Sequence, residues 1–381
     1  MTIRAALPPW VLVCGGFHRL GGMDRANFAL SEALLEKGHE VFLVGHNIAP
    51  ELLDDRRVHA TVVPRPLGVL LAEGSLRREG MRVASEVTRR CPNARVIVNG
   101  GNCPWPDINW VHSVHAAWPR FDSFAPRWFR IKSRINKQKA RHDELYALQR
   151  AKLVIANSER TRHDLIALGI PIERIRTVHL GCETDWKPAT LEQRASARRS
   201  FDLPEHAVIV SFIGALGYDH NKGFDTLLAA WHEAKLQNAI LVAAGTGRGF
   251  AHWQRQVEKL GLHGSVRLLG FSDRAGDLLA ASDLFVSPVR YEAFGLNVLE
   301  ALCRGVPSIV SKSAGVAELY PTDLSERLLQ NPEDARELSR MLTQWKTRSE
   351  EAQPMFVDLA AKLHEYSMRD MAKKLIATTE H

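Results

Sequence analysis

Two glutamates with seven residues between them are the first candidates for chemistry in this 381-residue chain. Glu292 and Glu300 flank the small apolar stretch Phe294, Gly295 and Leu296, and the residues that follow have the apolar pattern of a helix. If a helix begins near Leu296, its first N–H groups can bind phosphate oxygens, and Gly295 leaves the approach open. Glu300 then lies roughly 6 Å along the helix axis. One carboxylate could accept ribose hydroxyls and the other could contact a sugar beyond a diphosphate, although acids near helix starts are common without a ligand.

Glycine-rich loops recur at the ends of predicted strands, where ligands bind in open α/β sheets. The first loop, GGFHRLGGMDR, has Gly21 and Gly22 just before a predicted helix. Three more loops lie in the second half of the chain, at 214–223, 245–249 and 290–296. Glycine lets a ligand come close to the backbone, and helix N-termini attract phosphate. We therefore predict phosphate binding at these loops, although a tight turn needs glycine without any ligand.

Short apolar strands and helices alternate along both halves of the chain. WVLVCGG (10–16) predicts a strand, and DRANFALSEALLEK (24–37) predicts a helix with Asp24 at its N-cap. Because the strands contain few polar residues and are joined by helices, we predict parallel sheets covered on both faces. The segment 180–206 interrupts the alternation with mixed charge and two prolines, and the alternation starts again at 207. The pattern predicts two doubly wound α/β domains in tandem.

Composition and cysteine usage narrow the class of protein further. Hydrophobic residues make up 45% of the chain, which suits two cores, and the sequence contains no run of eighteen uncharged apolar residues that could span a membrane. The opening segment has a short apolar part broken by prolines, so we interpret it as a first strand rather than a secretion signal. The cysteines are Cys14, Cys91, Cys103, Cys182 and Cys303. Their scatter predicts a reducing cytoplasm, with neither a disulfide framework nor a zinc site.

A basic segment with interleaved aromatic residues stands out from the rest of the chain. Between Arg120 and Arg141, eight Lys and Arg residues accompany a single acid, Asp122, which gives a net charge of +7. The aromatic residues in and next to it are Trp118, Phe121, Phe124, Trp128 and Phe129. Such a mixture can lie on an anionic membrane surface. The alternative is a solvated helix face whose aromatic residues belong to a core, and nucleic-acid binding has less support because the rest of the chain is balanced in charge.

The segment EAFGLNVLEALCRGVPSIVSKSAGVAEL resembles the E-x7-E signature region of the retaining glycosyltransferases of family 4. FIGALGYDHNKGFDTLLAAW is similar to the diphosphate-binding Lys-Gly loop of that family, LVIANSERTRHDLIALGIPIERIRTVHLG to the end of its first domain, and VRLLGFSDRAGDLLAASDLFVSPVRYEAFG to the run into the signature. The resemblance covers nearly the whole chain and is more specific than any single glycine loop. It implies the α/β GT-B fold, two tandem doubly wound Rossmann-like domains with a cleft between them.

The resemblance also implies a donor site. Glu300 would bind the ribose and Glu292 the transferred sugar, while Lys222 would hold the diphosphate. The N–H groups around Phe294, Gly295 and Leu296 would hold the diphosphate as well. In the first domain, Gly22 would allow closure over the donor.

A histidine on the acceptor-side loop is a further feature of the family. The segment WVHSVHAAWP offers both His112 and His115. We favour His115, which follows the predicted strand end, whereas His112 could be a core histidine. The predicted catalytic residues are therefore Glu292, Lys222 and His115.

One departure from the family pattern concerns the cations at the diphosphate. Ala215 stands where the family commonly has an arginine. His220, Arg248 or Arg290 could substitute for it, and the sequence does not choose among them. Phe271, in the run before the signature, is a further candidate for donor binding.

The resemblance assigns residues 1–187 to an acceptor-binding domain and 188–362 to a nucleotide-sugar-binding domain, with a helix at 363–381 that crosses back to the first domain. It implies transfer of a hexose or similar sugar, with retention, from a nucleotide-diphosphate sugar to a hydroxyl of a glycan or glycolipid, as in the synthesis of lipopolysaccharide or another cell-envelope polysaccharide. We see no D-x-D motif placed to hold a metal, so we expect neither a metal nor another cofactor. We expect a cytoplasmic protein, or one at the inner face of the membrane.

Other classes of protein fit the residues less well. A nicotinamide dehydrogenase needs G-x-G-x-x-G after its first strand, and GGFHRLGGMDR lacks that spacing. A non-catalytic protein that binds membrane surfaces would use the basic segment but would not need Lys222, Glu292 and Glu300 together. A nucleotide-sugar epimerase on the same fold is the nearest alternative, because it would bind the same donor.

Overall fold

The structure is a computed structural model that describes residues 7–65, 69–118 and 124–380. Its described residues form two compact units. Unit 1 comprises Met1–Trp118, Ile131–Gly181 and Met368–His381, and unit 2 comprises Pro119–Arg130 and Cys182–Ser367. The sequence interpretation placed the divisions after 187 and after 362. It also assigned the segment around Phe124 to the first domain, whereas the structure groups that segment with unit 2.

Unit 1 is built on a parallel sheet. The strands of this half of the chain are β1 (Trp10–Val13), β2 (Gly16–Phe17), β3 (Val41–Gly45), β4 (Asn47–Ile48), β5 (Val58–Val62), β6 (Arg95–Asn99), β7 (Ile108–Val111), β8 (Leu153–Ala156) and β9 (Ile175–Thr177). Seven of them form a sheet in the order β5-β3-β1-β6-β7-β8-β9, and β2 pairs with β4. Neighbouring strands run parallel. Because the chain adds β3 and β5 on one side of β1 and then β6 on the other, the connection reverses direction between β1 and β6.

Helices connect the strands of the first sheet. They are α1 (Gly22–Glu36), α2 (Pro50–Leu53), α3 (Val69–Arg90), α4 (Arg127–Arg150) and α5 (Glu159–Ala167). Apolar residues of α3, including Val83 and Val87, pack on the buried valines of β1, β3 and β6. Neither β5 nor α3 was predicted from the sequence. The pattern of α3 gave no clear helix start, because its polar residues are spread over a long amphipathic stretch.

Unit 2 repeats this architecture. Its strands are β10 (Val208–Ile213), β11 (Ala239–Ala244), β12 (Val266–Gly270), β13 (Leu284–Ser287), β14 (Ser308–Ser311) and β15 (Leu328–Leu329). They form a parallel sheet in the order β12-β11-β10-β13-β14-β15. β10, β11 and β12 extend to one side and β13 returns to the other side of β10. The connection therefore reverses between β10 and β13, the place where open α/β sheets bind ligands.

The helices of the second half surround this sheet. They are α6 (Leu191–Ser200), α7 (Phe224–Ala234), α8 (Phe250–Lys259), α9 (Ala275–Ala281), α10 (Leu296–Cys303) and α11 (Ala335–His364). The last helix, α12 (Met368–Thr379), belongs to unit 1, where it packs against α1. Among the described residues, no helix combines the length and the apolar character needed to cross a bilayer.

Two local predictions about helices are wrong. The first helix begins at Gly22 with Gly21 at its N-cap, so Asp24 lies in the first turn instead of capping it. The carboxylate of Asp24 lies 3.2 Å from Nε2 of His18. The helix predicted at 363–381 is also displaced, because α11 ends at His364 and α12 begins at Met368. Residues between them hydrogen-bond elsewhere: the carbonyl of Tyr366 accepts from the N–H of Cys182 at 2.9 Å.

The cysteine prediction also needs correction. Cys182 and Cys303 form a disulfide, with their Cα atoms 6.6 Å apart. Cys14, Cys91 and Cys103 are free. The spacing of the cysteines could not indicate this pair, because 121 positions separate its members and only the fold brings them together.

The aromatic residues of the basic segment have two different environments. Phe121 lies outside the described residues. Phe124 stacks on His252 of α8 with ring centroids 3.8 Å apart, and Phe129 packs against Tyr218 at 5.0 Å. Trp128, in contrast, is exposed. Phe124 and Phe129 are therefore partly buried against other aromatic side chains of unit 2, which is closer to the packed alternative than to a membrane-facing one.

Candidate active site

The loops that follow β10 and β13 carry Lys222 and Glu292, and both lie at the reversal point of the unit 2 sheet. The Nζ of Lys222 donates a short hydrogen bond to Oε2 of Glu292, and both side chains are partly exposed. A single charge pair thus contains two of the three residues that the sequence indicated as catalytic. The pair leaves both groups accessible to a ligand at the edge of the sheet.

Asn221 fixes the two loops to each other. Its buried side chain donates to the carbonyl of Tyr291 at 3.1 Å and accepts from the N–H of Tyr291 at 3.0 Å. The carbonyl of Asn221 accepts from the N–H of Arg290 at 2.8 Å. Lys222 follows Asn221 in the sequence and Glu292 follows Tyr291. These three bonds therefore place Lys222 and Glu292 side by side. Asn221 was not predicted from the sequence, where the only indication of its role is that it precedes Lys222.

Gly223 is required where the Lys222 loop meets the end of β13. Its φ is +69°, in the left-handed region that favours glycine, and a Cβ there would lie 1.9 Å from the carbonyl oxygen of Pro288. The close backbone contact explains the glycine after Lys222. It also ties the loop to the strand that leads to Glu292.

The N-terminus of α10 presents backbone donors, as the sequence predicted. Gly295 is its N-cap with φ +112°. Among the described ranges of the chain, no group accepts a hydrogen bond from the backbone N–H of Leu296 or Asn297. The side chain of Asn297 donates to the carbonyl of Ile213 at 2.8 Å and so holds the helix start at the end of β10. Donors and helix dipole together make this a suitable place for an anion.

Glu300 has a partner that the sequence analysis missed. Its Oε1 accepts from Nη2 of Arg304 at 3.2 Å, and both side chains are mostly buried. The i,i+4 spacing on one helix could have indicated this pair. The start of α9 lies close by, because a Cβ at Gly276 would be 2.7 Å from Nη2 of Arg304 and 3.7 Å from Oε1 of Glu300. The carboxylate is therefore oriented before any ligand binds.

Arg290 is held in an ion-pair network. Its guanidinium donates to both carboxylate oxygens of Asp225 at 2.8 Å and to Glu333 at 3.0 Å. His220 also contacts Asp225, at 3.1 Å, and this hydrogen bond raises the pKa of His220. Burial alone would raise the pKa of Asp225, but hydrogen bonds from His220 and Arg290 lower it to about 2. Arg290 therefore supports the loop before Glu292, and its charge is already compensated.

The remaining donor-side candidates are spread along the same sheet edge. Ala215 is exposed after β10, and Arg248 lies over the ring of Phe129 at 5.4 Å. Phe271, just after β12, has 78% of its surface exposed. An exposed aromatic ring at the end of a strand suits stacking on a base.

The glycines of the 245–249 loop have a structural explanation. A Cβ at Gly245, Gly247 or Gly249 would lie within 2.5 Å of a carbonyl oxygen of the 214–217 loop. The N–H of Gly249 donates to the carbonyl of Leu216 at 3.1 Å. These glycines therefore allow two loops to pack, and the phosphate binding predicted for them has no separate support.

The two histidines of the WVHSVHAAWP segment have different environments in unit 1. His112 is half-buried beside Trp110, with ring centroids 4.4 Å apart. Its Nε2 is buried, and burial lowers the pKa of the imidazole to about 3. His115 lies past β7 with 45% of its side chain exposed. Its Nδ1 contacts Oε1 of Glu144 at 2.9 Å. The accessible imidazole is therefore that of His115, as the sequence favoured, while Glu144 was not foreseen.

Polar residues also gather at the reversal point of the unit 1 sheet. Asn27 donates to the carbonyl of Gly16 at 3.1 Å and to Oδ1 of Asn99 at 3.0 Å, which joins the start of β2 to the end of β6. Gly22 is the first residue of α1, directly after Gly21 with φ +82°. Burial raises the pKa of Asp24 in the first turn of this helix, although His18 opposes the shift. No group of three His, Cys, Asp or Glu residues in the described ranges could hold a metal ion.

Two family models match the chain. Glycosyltransferase Family 4 matches residues 20–186, and Glycosyl transferases group 1 matches residues 193–362. Together they span most of the chain and support a glycosyltransferase family of the GT-B type. Among curated proteins, the O-antigen chain mannosyltransferase B of Escherichia coli is 27% identical over 210 residues, which are 52% of each chain. The alignments with the first three curated relatives span 42% to 58% of those proteins.

Solved structures confirm the predicted fold class. WaaG, a glycosyltransferase involved in lipopolysaccharide biosynthesis, has 19% identity and a TM-score of 0.72, and the match covers 96% of this chain and 98% of WaaG. HepE from Anabaena, crystallised with UDP-glucose, has 18% identity and a TM-score of 0.72, with 97% and 99% coverage. These likenesses show an α/β fold of the GT-B type with two Rossmann-like halves.

Proposed function

We propose that this chain, whose fold and family matches are those of GT-B glycosyltransferases, moves a hexose from a nucleotide-diphosphate sugar to a hydroxyl of a glycan or glycolipid, with retention of the anomeric configuration. The Lys222–Glu292 pair beside the N–H groups of Leu296 and Asn297 is the observation that carries the proposal. A positive helix end, an ammonium and a carboxylate lie together at the reversal point of a parallel sheet. That combination suits a diphosphate bearing a sugar.

Each donor-site residue has a role in this proposal. The N–H groups around Phe294, Gly295 and Leu296 and the ammonium of Lys222 hold the diphosphate. Glu300, oriented by Arg304, accepts ribose hydroxyls. Glu292 turns from Lys222 to the hydroxyls of the hexose. The nucleobase stacks on Phe271, whose ring is exposed near the start of α9.

The proposed reaction breaks the bond between the anomeric carbon and the diphosphate oxygen. The electron pair of that bond leaves with the diphosphate, whose growing charge Lys222 and the helix N–H groups stabilise. Glu292 offsets positive charge on the sugar ring. The acceptor hydroxyl attacks from the face that the diphosphate leaves, and a phosphate oxygen takes its proton, so the configuration is retained. A good leaving group needs no protein acid, unlike the leaving group of a glycosidase.

The site supplies its own positive charge in this mechanism, so we propose that no metal is needed. Ala215 offers no charge, and Arg290 is compensated by Asp225 and Glu333. Lys222 and the N–H groups at the start of α10 then stabilise most of the negative charge of the diphosphate. Arg248 remains a candidate for a second cation, whereas His220, like Arg290, pairs with Asp225.

The acceptor is proposed to be lipid-linked, as in the synthesis of lipopolysaccharide or a related envelope polysaccharide, at the cytoplasmic face of the membrane. Trp128, Ile131 and Ile135 are exposed on one face of α4, at spacings of three and four residues. Five Lys and Arg residues lie between 127 and 137. Apolar side chains flanked by cations can enter the headgroup layer of an anionic bilayer. WaaG, named for lipopolysaccharide biosynthesis, shares the fold.

Sedimentation with liposomes tests this membrane contact. We expect stronger binding to vesicles with anionic lipid than to neutral vesicles, and weaker binding when Trp128 and Ile131 are replaced by serine. Ile172→Ser, which changes an exposed isoleucine on a different part of the surface, is the matched control. Equal binding to neutral and anionic vesicles would contradict the membrane contact but not the transferase activity.

A thermal-shift screen of nucleotide sugars tests the donor site. A ligand at 100 times its dissociation constant stabilises the protein by about 2.7 kcal/mol, which gives a clear shift. We expect Glu300→Ala to remove most of the shift, while Glu258→Ala, which changes an exposed glutamate of α8, leaves it intact. If no nucleotide sugar shifts the protein, the proposed function is wrong.

Product analysis then separates transfer from epimerisation. With acceptor present, NMR of the product should show the anomeric configuration of the donor. A changed nucleotide sugar formed without acceptor would indicate an epimerase, and an inverted product would exclude retention.

A further inference from the structure

Glu144 is a buried carboxylate in the middle of α4. Only 1% of its side chain is exposed. The turn after β6 encloses it: a Cβ at Gly101 would lie 3.0 Å from the backbone nitrogen of Glu144, and one at Gly100 would lie 3.8 Å from its Oε1. Burying a carboxylate costs several kcal/mol unless hydrogen bonds compensate it. The contacts of Glu144 must therefore compensate the cost of burying its charge.

Both oxygens of Glu144 bind one residue, His115. Oε2 accepts from the backbone N–H of His115 at 2.8 Å, and Oε1 contacts its Nδ1 at 2.9 Å. One turn earlier on α4, Arg141 donates from Nε to the carbonyl of His115 at 3.0 Å. Residues of α4 thus bind the backbone N–H and the carbonyl of His115, and its ring at Nδ1. The ring is fixed in orientation while nearly half of the side chain remains accessible.

The carboxylate also decides where the ring carries its proton. A carboxylate can only accept, so Nδ1 must donate to it, and a neutral imidazole then has its lone pair on Nε2. Without Glu144 the proton could occupy either nitrogen and the ring could rotate. The contact therefore selects one tautomer and one orientation.

We propose that Glu144 is a positioning residue for the transfer reaction, which holds His115 so that Nε2 accepts a hydrogen bond from a hydroxyl of the bound sugar or acceptor. This inference rests on the proposed function, because His115 has such a role only if the chain binds these substrates. Glu144 itself touches no substrate. Its effect on the reaction passes through the ring of His115.

Substitution by glutamine tests the inference, because glutamine keeps the shape and can donate to Nδ1, which stabilises the wrong tautomer. We expect Glu144→Gln to lower kcat by roughly 10- to 100-fold, as loss of a residue that orients a functional histidine does in other sites. The pH profile of kcat should change as well. The matched control is Asp143→Asn, which changes the neighbouring acid on α4 and should leave kcat and its pH profile unchanged.

A double-mutant cycle shows whether Glu144 acts through His115. His115→Ala combined with Glu144→Gln should be no slower than His115→Ala alone, because the ring that Glu144 positions is already gone. Additive losses would overturn the inference. Wild-type kcat and pH profile in Glu144→Gln would overturn it too. If Glu144→Gln does not fold, Glu144→Asp serves in the same cycle. The aspartate keeps the charge, but its shorter side chain weakens the contacts with His115.

Nucleotide binding distinguishes this inference from the proposed function. Glu144 lies in unit 1, and the Lys222–Glu292 pair lies in unit 2. Glu144→Gln should therefore keep the thermal shift with nucleoside diphosphate while losing transfer. A wild-type protein that binds no nucleotide sugar contradicts the proposed function instead.

Discussion

His112 shows how burial of one residue sets a pH dependence for the whole fold. Nε2 of its imidazole is buried, and burial lowers the pKa of this group from the ordinary value of 6.5 to about 3. The unfolded chain therefore takes up a proton near pH 6.5 that the folded chain does not take up until about pH 3. The resulting stability is fully present above pH 6.5 and is lost as the pH falls toward 3.

Replacing this histidine should flatten the pH dependence. Each pH unit below 6.5 costs the wild type up to about 1.4 kcal/mol from this one group. We expect the free energy of unfolding in urea to fall less steeply between pH 6.5 and pH 4.5 in His112→Gln than in the wild type. His206→Gln, which changes an exposed histidine, should keep the wild-type slope. Identical slopes in all three proteins would show that His112 is not protected from protonation.

The sequence indicated the candidates for the proposed chemistry better than the residues that hold them in place. Glu292, Lys222 and Glu300 could be proposed because their types and spacing match a known pattern. Asn221 and Arg304 could not, because a buried asparagine and a helix arginine are common and acquire their roles from contacts. Glu144 is the clearest case, since it lies 29 positions after His115 in the sequence and only the fold shows the contact.

At the scale of elements, Gly223 fixes the Lys222 loop to the end of β13. Its left-handed backbone and the carbonyl of Pro288 leave no space for a side chain. We expect Gly223→Ala to lower the free energy of unfolding by about 1 to 3 kcal/mol, the usual cost of such strain, and to weaken nucleotide binding because Lys222 moves. Denaturant unfolding and nucleotide titration measure the two effects.

Gly264→Ala is the control for this substitution. A Cβ at Gly264 meets nothing within 4 Å, so stability and binding should stay close to the wild type. If Gly223→Ala binds nucleotide as the wild type does, the loop tolerates displacement and its contact with Pro288 does not position Lys222.

Glycine loops also show where prediction from element patterns reaches its limit. The sequence treated the loops at 214–223, 245–249 and 290–296 alike, because each follows a strand. In the structure Gly295 is the N-cap of α10, beside the backbone donors. Gly245 and Gly249, in contrast, leave space for the backbone of the 214–217 loop. A glycine needed for a ligand and one needed for packing have the same sequence signature, and only the atoms nearby distinguish them.

At the scale of the molecule, alternation of strands and helices was enough to predict two parallel α/β sheets. The regular period of buried strands carries that information locally. The grouping of Phe124 with unit 2 and of α12 with unit 1 depends on contacts between distant parts of the chain. Composition and periodicity do not report such contacts.

The disulfide between Cys182 and Cys303 is another long-range feature, and it adds a testable constraint on stability. It links the residue at which unit 2 resumes after Gly181 to the last residue of α10. Cys182 also pairs with Ser367, where the chain leaves unit 2. A covalent link at this junction restricts the unfolded chain over a separation of 121 residues. Links across long loops typically stabilise a protein by about 2 to 4 kcal/mol.

Reduction should therefore destabilise the wild type by an amount in that range. Denaturant unfolding with and without a thiol reductant measures the difference. Cys303→Ala should unfold at one stability in both conditions, whereas Cys91→Ala, which removes a free thiol, should respond to the reductant as the wild type does. Thiol titration of the denatured, unreduced chain gives an independent reading, because the pair leaves three of the five cysteines reactive. Five reactive thiols, together with stability that ignores the reductant, would mean that the two sulfurs are neighbours without a bond and that the sequence-based expectation of a reduced protein was right.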